Sequence, residues 1–294
     1  MEGKLKAYIE SKLHLIQAEI TKHFHQIDIP ENLKKSMLYS LEAGGKRLRP
    51  ILMLASFEAY SSQVEKIFSS AVALEMIHTY SLIHDDLPAM DDDDFRRGLP
   101  TNHRAFDEAT AILAGDALLT YSFEIITNDP LLTDKEKVWI VQLLSRASGP
   151  SGMVAGQLLD MEAENKQVSL EQLERIHKLK TGELLRFAVT AGAYLGNATK
   201  EQITHLEKFS YYLGLIFQVQ DDILDVMGDT AKLGKTVGSD ESNNKSTYPK
   251  LLGLEGAIAK KKHYTEQAKE LLKQANADTS RLSELTDYVS QRDH

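Results

Sequence analysis

The sequence predicts an all-α protein, and three observations carry this prediction. Apolar residues recur at three- and four-residue spacing in long segments, as in the series Ile203, Leu206, Phe209, Tyr212, Leu213, Ile216 and Phe217. A convincing alternation of apolar and polar residues, which would predict strands, is absent. The seven prolines fall mostly at segment boundaries or in first helical turns, where a missing N–H costs least. We therefore expect a helical bundle.

Start signals divide the chain into roughly ten to twelve predicted helices. Pro30, Pro50, Pro100, Pro150 and Pro249 lie at or beside five of the starts. Three other starts carry a capping pair, a hydroxyl residue followed three positions later by Glu or Gln: Thr133 with Glu136, Ser169 with Gln172, and Thr199 with Gln202. The predicted helices are 2–25, 31–43, 50–60, 63–86, 100–127, 133–148, 150–163, 169–180, 182–195, 199–227, 250–275 and 279–291.

Composition narrows the class of protein. No linker, repeat or composition shift divides the 294 residues, so we expect one domain over 1–294. The absence of cysteine excludes disulfides, thiolate zinc sites and a cysteine nucleophile. A net charge of −9 argues against nucleic acid as the main partner. The N-terminus lacks the apolar region of a signal peptide and no stretch approaches the roughly 20 apolar residues of a membrane span, so we expect a cytoplasmic protein.

The first of two acidic clusters places six aspartates within residues 85–94. Like charges this close repel, so a cation is expected to offset them. Asp85 and Asp91 are six residues apart and would lie on different faces of a straight helix. Pro88 should break or bulge that helix and could return Asp91 to the side of Asp85.

The second acidic cluster is "FQVQDDILD", residues 217–225, in which Asp221 and Asp225 share one helix face and Asp222 lies beside them. Apolar neighbours indicate that this helix is buried, and buried carboxylates are nearly always paired or metal-bound. Oxygen ligands without thiolates suit Mg²⁺ or Mn²⁺, and Mg²⁺ usually shares its coordination sphere with substrate phosphate. A solvated acidic surface is the alternative for either cluster alone, and the spacing of a calcium loop is absent.

Basic residues near small or hydroxyl residues could complete a phosphate site. "GGKRLRP", residues 44–50, combines two glycines with Lys46, Arg47 and Arg49, and the arginine fork matches phosphate oxygens. Arg96 and Arg97 could instead pair locally with the aspartates before them. The remaining candidates are polar residues that, taken singly, would be ordinary surface or core residues: His78, Gln157, Lys180, Thr181, Gln218, Lys235 and Lys245.

These elements together resemble the short-chain trans-polyprenyl diphosphate synthases over essentially the full length of the chain. The matching stretches occur in the order "GGKRLRP", "IHTYSLIHDDLPAMDDDDFRRG", "GQLLDM", "KLKTGELL", "FQVQDDILD", "LGK" and "NKSTYP". The resemblance implies the isoprenoid synthase fold, a helical bundle around a deep cavity with the two aspartate motifs facing each other, and usually a homodimer. It also implies head-to-tail condensation of isopentenyl diphosphate with dimethylallyl or geranyl diphosphate.

The resemblance implies roles for named residues. Three Mg²⁺ ions per site, or Mn²⁺, would be held mainly by Asp85, Asp91 and Asp221, with support from Asp86 and Asp225. The allylic diphosphate would be bound by Arg96, Lys180, Thr181, Gln218, Lys235 and Lys245. Isopentenyl diphosphate would be held by Gly45, Lys46, Arg49, His78 and Arg97. Asp85, Asp91, Asp221, Lys180 and Arg96 would form the catalytic set.

Tyr80 is the candidate that sets product length. It precedes Asp85 by five residues, roughly 7.5 Å along a helix, and could form the floor of the hydrocarbon pocket. Each CH₂ group of the product that enters an apolar pocket gains ~0.8 kcal/mol from burial, so only a steric stop would end elongation of the product. An aromatic residue here, with the two-residue insertion Pro88 and Ala89, resembles the farnesyl-forming type and predicts a C15 product. An ordinary core tyrosine is the alternative.

Other functions are compatible with parts of this pattern. A geranyl or geranylgeranyl diphosphate synthase would share the chemistry and differ in product length. A terpene cyclase would lack the isopentenyl site at Lys46 and Arg49. A non-catalytic subunit or divalent-ion-binding scaffold would have little need for intact carboxylates in both clusters. Arg292, near the C-terminus, is a candidate to order over the site when substrate binds, although termini are often frayed.

Overall fold

A computed structural model describes residues 2–227 and 246–292. Within these ranges the chain is helical apart from its connections and one very short hairpin, so the predicted all-α class is confirmed. The helices are α1 Glu2–Gln26, α2 Glu31–Glu42, α3 Leu48–Glu58, α4 Phe68–Asp85, α5 Asn102–Ala105, α6 Glu108–Thr127, α7 Asp134–Ser148, α8 Met153–Ala163, α9 Leu170–His177, α10 Glu183–Leu195, α11 Lys200–Met227, α12 Tyr248–Gln274 and α13 Ser280–Gln291. A 3₁₀ turn, Val64–Ile67, precedes α4.

The capping pairs form as predicted. Ser169 Oγ accepts the N–H of Gln172, whose side chain accepts the N–H of Ser169 in return. The pairs at Thr133 and Thr199 make the same reciprocal hydrogen bonds. These contacts satisfy N–H groups that have no partner within the helix. Because the same pairs of residue types recur at helix starts, the sequence predicted these starts.

The predicted helix 100–127 is wrong in its first part. Asp107 accepts the N–H of Thr110 at 2.8 Å and starts α6 at Glu108, leaving α5 as a single turn. Before it lies an antiparallel hairpin of β1, Phe95–Arg96, and β2, Leu99–Pro100. Its two loop residues, Arg97 and Gly98, both have positive φ, at 55° and 79°, as a type I′ turn requires. Strands of two residues leave no period-2 signal.

The chain divides into two compact units, residues 1–54 with 63–142, and residues 55–62 with 143–294. In the first unit α4 is the central helix and packs along α6, with further contacts to α1 and α2. Residues Ser69 to Ile77 of α4 are all buried. This rigid helix carries His78, Tyr80 and Asp85 near its C-terminal end. The expectation of one domain stays a prediction.

In the second unit α11 packs along α12 and α10. The predicted helices 169–180 and 182–195 are joined by a π-helical turn, Lys178–Gly182. The backbone of α8 lies directly against this turn, because a Cβ built on Gly156 would come within 2.1 Å of the Lys180 nitrogen. Glycine is therefore required at this close approach. Asp222 accepts the N–H of Tyr248 at 2.8 Å and fixes the start of α12.

Helix α6 is the one described helix with the length and composition to cross a membrane. This differs from the expectation that no such stretch exists. Ala111, Ala114, Leu118 and Ile126 of α6 are buried within its own unit, and a core helix passes the same test of length and composition. The finding is weak evidence for a span.

Candidate active site

The first aspartate cluster begins where α4 ends. Asp85 is the last residue of α4, and its carbonyl accepts the N–H of Asp91 at 2.9 Å. The predicted return of Asp91 to Asp85 after the break at Pro88 is thus confirmed for the backbone. Asp92 follows with φ 51°, in the left-handed region that aspartate tolerates. Asp85 is half-buried and Asp91 is exposed.

Asp86 has a different environment from its neighbours. It is only 3% exposed. Its two carboxylate oxygens accept hydrogen bonds from the Nε of Arg96, at 2.7 and 2.9 Å. Burial raises the pKa of Asp86, while the hydrogen bond and charge of Arg96 oppose that rise. The short hairpin delivers Arg96 to this position. Asp86 therefore forms an ion pair with Arg96, and its role as a supporting metal ligand stays a prediction.

The glycine-rich basic motif lies against α4 and the hairpin loop. Arg49 Nη1 lies 3.2 Å from Nε2 of His78. A guanidinium only donates, so His78 accepts and is neutral, in agreement with its pKa, which burial and the nearby arginines lower well below the ordinary value. Arg97 donates to the carbonyl of Gly44, and a Cβ on Gly45 would come within 2.6 Å of the Arg97 guanidinium.

Four of the five residues predicted to hold isopentenyl diphosphate thus contact one another in pairs: Arg49 with His78, and Arg97 with the Gly44–Gly45 loop. Gly45 has φ 113°, a conformation that only glycine adopts readily. Lys46, the fifth residue, is exposed. Arg47 points inward instead, to Glu75 and the carbonyl of Leu41.

Tyr80 lies one turn and a half before Asp85 on α4 and is 7% exposed. Its ring meets that of His84 edge-on, with 5.7 Å between ring centroids. Burial, with a contribution from Asp85, raises the pKa of Tyr80 to about 12. The side chain is therefore neutral and mostly buried, and its role as a stop for a growing chain stays a prediction.

The second aspartate cluster lies near the C-terminal end of α11. Asp222 and Asp225 are buried, whereas the Asp221 side chain is 37% exposed. Arg292 donates to Asp221 at 2.5 Å and to the carbonyl of Phe217 at 3.2 Å, and its guanidinium lies 4.1 Å from the centroid of the Phe217 ring. Arg292, in the last residues of the sequence, therefore forms an ion pair with Asp221, a predicted metal ligand.

Three predicted diphosphate ligands of the second unit lie together. Thr181 donates to Gln218 at 2.9 Å, and Lys180 donates to Asp160 at 2.6 Å. All four side chains line a pocket of about 200 Å³ that His177 and Asp222 also border. The π-helical turn carries Lys180 and Thr181 into this pocket, and π turns are frequent at functional sites. Lys235 and Lys245 lie outside the described residues.

The predicted carboxylate ligands fit a metal ion that is also coordinated by the phosphate oxygens of its substrate. Within residues 2–227 and 246–292, no three Asp, Glu or His side chains converge closely enough to form a ligand set alone. The backbones of Asp85 and Asp91 are joined at the end of α4, and Asp221 and the buried Asp225 are four residues apart on α11. Mg²⁺ often takes only one or two carboxylates and completes its octahedron with water and phosphate oxygens, so each pair of carboxylates suits it.

Sequence reasoning missed two residues that orient the site. Asp160 holds Lys180, and its signal was present in "GQLLDM", where it follows Gly156 by one helical turn. Glu75 holds Arg47, but an acidic residue in an apolar helix gave no hint of its partner. Gln157 also lies on α8, half-buried, and its Nε2 has no hydrogen-bond partner within the described chain.

Comparison with known proteins identifies the family of the chain. Residues 30–289 match the polyprenyl synthetase family. The farnesyl diphosphate synthase of Bacillus subtilis is 50% identical, covering 100% of both chains, and that of Geobacillus stearothermophilus is 47% identical, covering 99% of this chain and 98% of its own. A solved Helicobacter pylori geranyltransferase, complexed with magnesium and isoprenyl diphosphate, is 35% identical with a TM-score of 0.84, covering 97% of this chain and 95% of its own. The chain belongs to the polyprenyl synthetase family.

Proposed function

We propose that the chain is a prenyltransferase that condenses isopentenyl diphosphate with dimethylallyl or geranyl diphosphate to give (2E,6E)-farnesyl diphosphate. One observation carries the proposal. The last turns of α4 hold His78 beside Arg49, then Tyr80, then Asp85 beside Asp91. These residues would provide an anion site, a steric stop and a carboxylate pair in sequence along α4 and its end, and chain elongation needs all three. The relatives at 47–50% identity carry the same activity in their names.

The reaction explains why cations dominate the predicted ligands. Breaking the C1–O bond of the allylic diphosphate leaves a carbocation and a multiply charged leaving group, so the barrier falls where that developing charge is stabilised. Lys180, Thr181 and Gln218 are proposed to bind this diphosphate in the pocket that they line. Asp160 fixes the direction of the Lys180 ammonium group. Arg96, held by Asp86, is proposed to add a second fixed positive charge.

The second substrate is proposed to lie at the basic motif. Isopentenyl diphosphate would be held by Gly45, Lys46, Arg49, His78 and Arg97, of which Arg49 and the neutral His78 lie 3.2 Å apart. The double bond of isopentenyl diphosphate attacks C1 of the allylic cation, and loss of a proton leaves a product longer by one isoprene unit. The departing diphosphate is the expected proton acceptor. No protein nucleophile is needed, which suits a chain without cysteine.

Mg²⁺ is the proposed metal, with three ions per site expected from the family and Mn²⁺ as an alternative. Asp85, Asp91 and Asp221 are proposed as the main ligands, with Asp86 and Asp225 in support. Bound ions would supply electrostatic stabilisation of the leaving diphosphate.

A homodimer is proposed as the working form, in the cytoplasm. The first unit exposes large apolar side chains at Ile112, Leu113, Leu131 and Val138, each between 42% and 69% exposed. Ile112 and Leu113 lie on α6, so this apolar helix exposes large apolar side chains to water when no other surface packs against them. A second copy of the chain would cover this surface. Analytical ultracentrifugation of wild type and Leu113→Glu tests this: a monomeric wild type contradicts it.

The activity is tested by the product profile of purified protein with Mg²⁺, isopentenyl diphosphate and dimethylallyl diphosphate. We expect a C15 diphosphate whose formation stops with EDTA and resumes with excess Mg²⁺. A C10 or C20 product would keep the chemistry and overturn the proposed product length. No condensation in a buffer that supports a known synthase would contradict the proposed activity and favour a non-catalytic subunit or metal-binding scaffold.

The product length is tested by Tyr80→Ala. Removing the buried ring should open the pocket and shift products beyond C15, because each added CH₂ then gains ~0.8 kcal/mol on burial. Tyr121→Ala is the matched control, a half-buried tyrosine of the same unit that bonds to the His23 carbonyl instead. An unchanged C15 product from Tyr80→Ala, or lengthening in both variants, would remove Tyr80 from this role.

A further inference from the structure

Arg47 is the more buried of the two arginines of the basic motif. Its side chain donates to Glu75 through Nη1 and to the Leu41 carbonyl through Nη2. The two charged side chains are 6% and 2% exposed. Leu41 provides one of the last carbonyls of α2, which have no partner within the helix. Arg47 therefore joins the end of α2 to the middle of α4.

The backbone at Arg47 is held in an unusual conformation. Its φ is 46°, in the left-handed region, two residues after Gly45, and Gly44 and Gly45 have φ 85° and 113°. Non-glycine residues adopt this region at a cost and persist there only where surrounding contacts fix them. The contacts to Glu75 and Leu41 are such contacts. As Arg47 turns inward, Lys46 before it remains exposed.

Glu75 also balances the charge of the motif. Arg49 contacts His78, which follows Glu75 by one turn of α4, so two arginines of the motif meet successive turns of the same helix. Burial and the charge of Arg47 lower the pKa of Arg97, and the charge of Glu75 raises it. Within the described chain, Glu75 Oε2 is buried and has no hydrogen-bond partner. A buried carboxylate is costly, so its place among these arginines requires a reason.

We propose that Glu75 and Arg47 form a positioning pair that sets the register of the basic motif on α4 and so places the site for isopentenyl diphosphate. Neither residue contacts the substrate in this proposal. The pair fixes the loop from which Gly45, Lys46 and Arg49 reach the diphosphate. The inference rests on the proposed function, because it assumes that this diphosphate binds at the motif.

The test separates binding of the two substrates. Glu75→Gln keeps the shape and removes the charge, and Arg47→Lys keeps the charge but cannot reach Glu75 and Leu41 together. For both variants we expect the KM for isopentenyl diphosphate to rise about tenfold or more, with kcat and the KM for geranyl diphosphate within about twofold of wild type. Calorimetric binding of isopentenyl diphosphate alone should weaken in parallel.

The matched control is Glu136→Gln. Glu136 is a half-buried carboxylate of the same unit, paired with Lys66 at 2.5 Å, and it also caps α7. Its substitution should lower the melting temperature and leave both KM values unchanged. An equal rise in the KM for isopentenyl diphosphate in this control would mean that destabilisation alone causes the effect, and would overturn the proposal.

Two outcomes separate this inference from the proposed function. Wild type that neither binds isopentenyl diphosphate nor condenses it would overturn the function. Wild type that binds it while Glu75→Gln and Arg47→Lys bind it equally well would overturn only the positioning pair. If the single variants do not fold, the double variant Arg47→Met with Glu75→Leu replaces both charges by apolar groups, which buried sites often tolerate. A folded double variant with unchanged KM for isopentenyl diphosphate would also overturn the pair.

Discussion

The two aspartate clusters use arginine in different ways. In the first cluster Arg96 comes from ten residues away and binds Asp86, the buried member, through both carboxylate oxygens. In the second cluster Arg292 comes from the end of the chain and binds Asp221, the most exposed member. Arg96 thus binds a residue that is proposed only as a supporting metal ligand. The second arginine binds one of the proposed main ligands.

This difference indicates one permanent and one exchangeable ion pair. A carboxylate that is nearly fully buried needs a fixed partner, because leaving it unpaired is strongly unfavourable. Asp221 is 37% exposed and can take up water or a metal in place of its partner, whereas the Arg292 side chain is 6% exposed and must move to solvent or to an anion when it leaves. Arg96 is therefore expected to remain on Asp86 throughout turnover. Arg292 is expected to leave Asp221 when metal and diphosphate bind, which is the opposite of the sequence-based expectation that it orders over the site on substrate binding.

The largest effect is expected for the accessible carboxylates themselves. Asp85→Asn and Asp221→Asn should each lower kcat by about 10³-fold or more, because each removes charge from a proposed metal ligand while keeping its shape. Steady-state rates at saturating Mg²⁺ measure this. Asp92→Asn is the control, since Asp92 has φ 51° and asparagine tolerates that region. A loss confined to one cluster would show that the two clusters do not share one role.

The permanent pair is tested by Arg96→Gln. Removing Arg96 leaves Asp86 buried without its ionic partner, which should lower the free energy of unfolding by about 2 kcal/mol after allowance for the partial exposure of Arg96. Urea unfolding at pH 7.5 measures this. Arg104→Gln is the matched control, because Arg104 pairs with Asp94 on the surface, and no measurable change is expected. Equal stability of the two variants would contradict the distinction between permanent and exchangeable pairs.

A third prediction concerns His177, which lines the pocket of Lys180 and stacks on Tyr248. Burial lowers its pKa from 6.5 to about 4, so the folded state stays neutral where the unfolded state gains a proton. Its contribution to stability is complete above pH 6.5 and is lost as pH falls towards 4. Between pH 7.5 and 5.5 wild type should lose roughly 1 kcal/mol more than His177→Gln. Urea unfolding of both proteins, with the exposed His25→Gln as control, measures it; parallel pH profiles would contradict the prediction.

Much of the fold was predictable because its signals are local. Helix periodicity and capping pairs depend on residues within one or two turns, so Thr133, Ser169 and Thr199 marked true helix starts. The hairpin at Arg97 and Gly98 was missed because two-residue strands have no periodicity. The π-helical turn at Lys178–Gly182 was missed because no local pattern in the sequence marks it, and the glycine packed against it, Gly156, belongs to another helix.

The site divides in the same way between local and distant causes. The return of Asp91 to Asp85 was predictable from a local pattern, because Pro88 should break or bulge the helix and Asp91 lies two residues beyond an i, i+4 spacing from Asp85. The partners that orient the site were not predictable, because Asp160 and Lys180 are 20 residues apart and Arg47 and Glu75 are 28 apart. Sequence identifies the charged residues, but their pairing depends on packing.

The smallest expected effect concerns Arg292, the exchangeable partner of Asp221. Arg292→Gln removes a cation that competes for a proposed metal ligand, so Mg²⁺ with inorganic diphosphate should bind about threefold more tightly, a gain of about 0.6 kcal/mol by RT ln 3. Calorimetry at fixed ionic strength measures this, and Arg281→Gln, an arginine of α13 paired with Glu284, is the control. Weaker binding in Arg292→Gln alone would show that Arg292 contributes to the bound state. The second cluster would then hold its arginine as permanently as the first, and the difference between the clusters would be one of exposure alone.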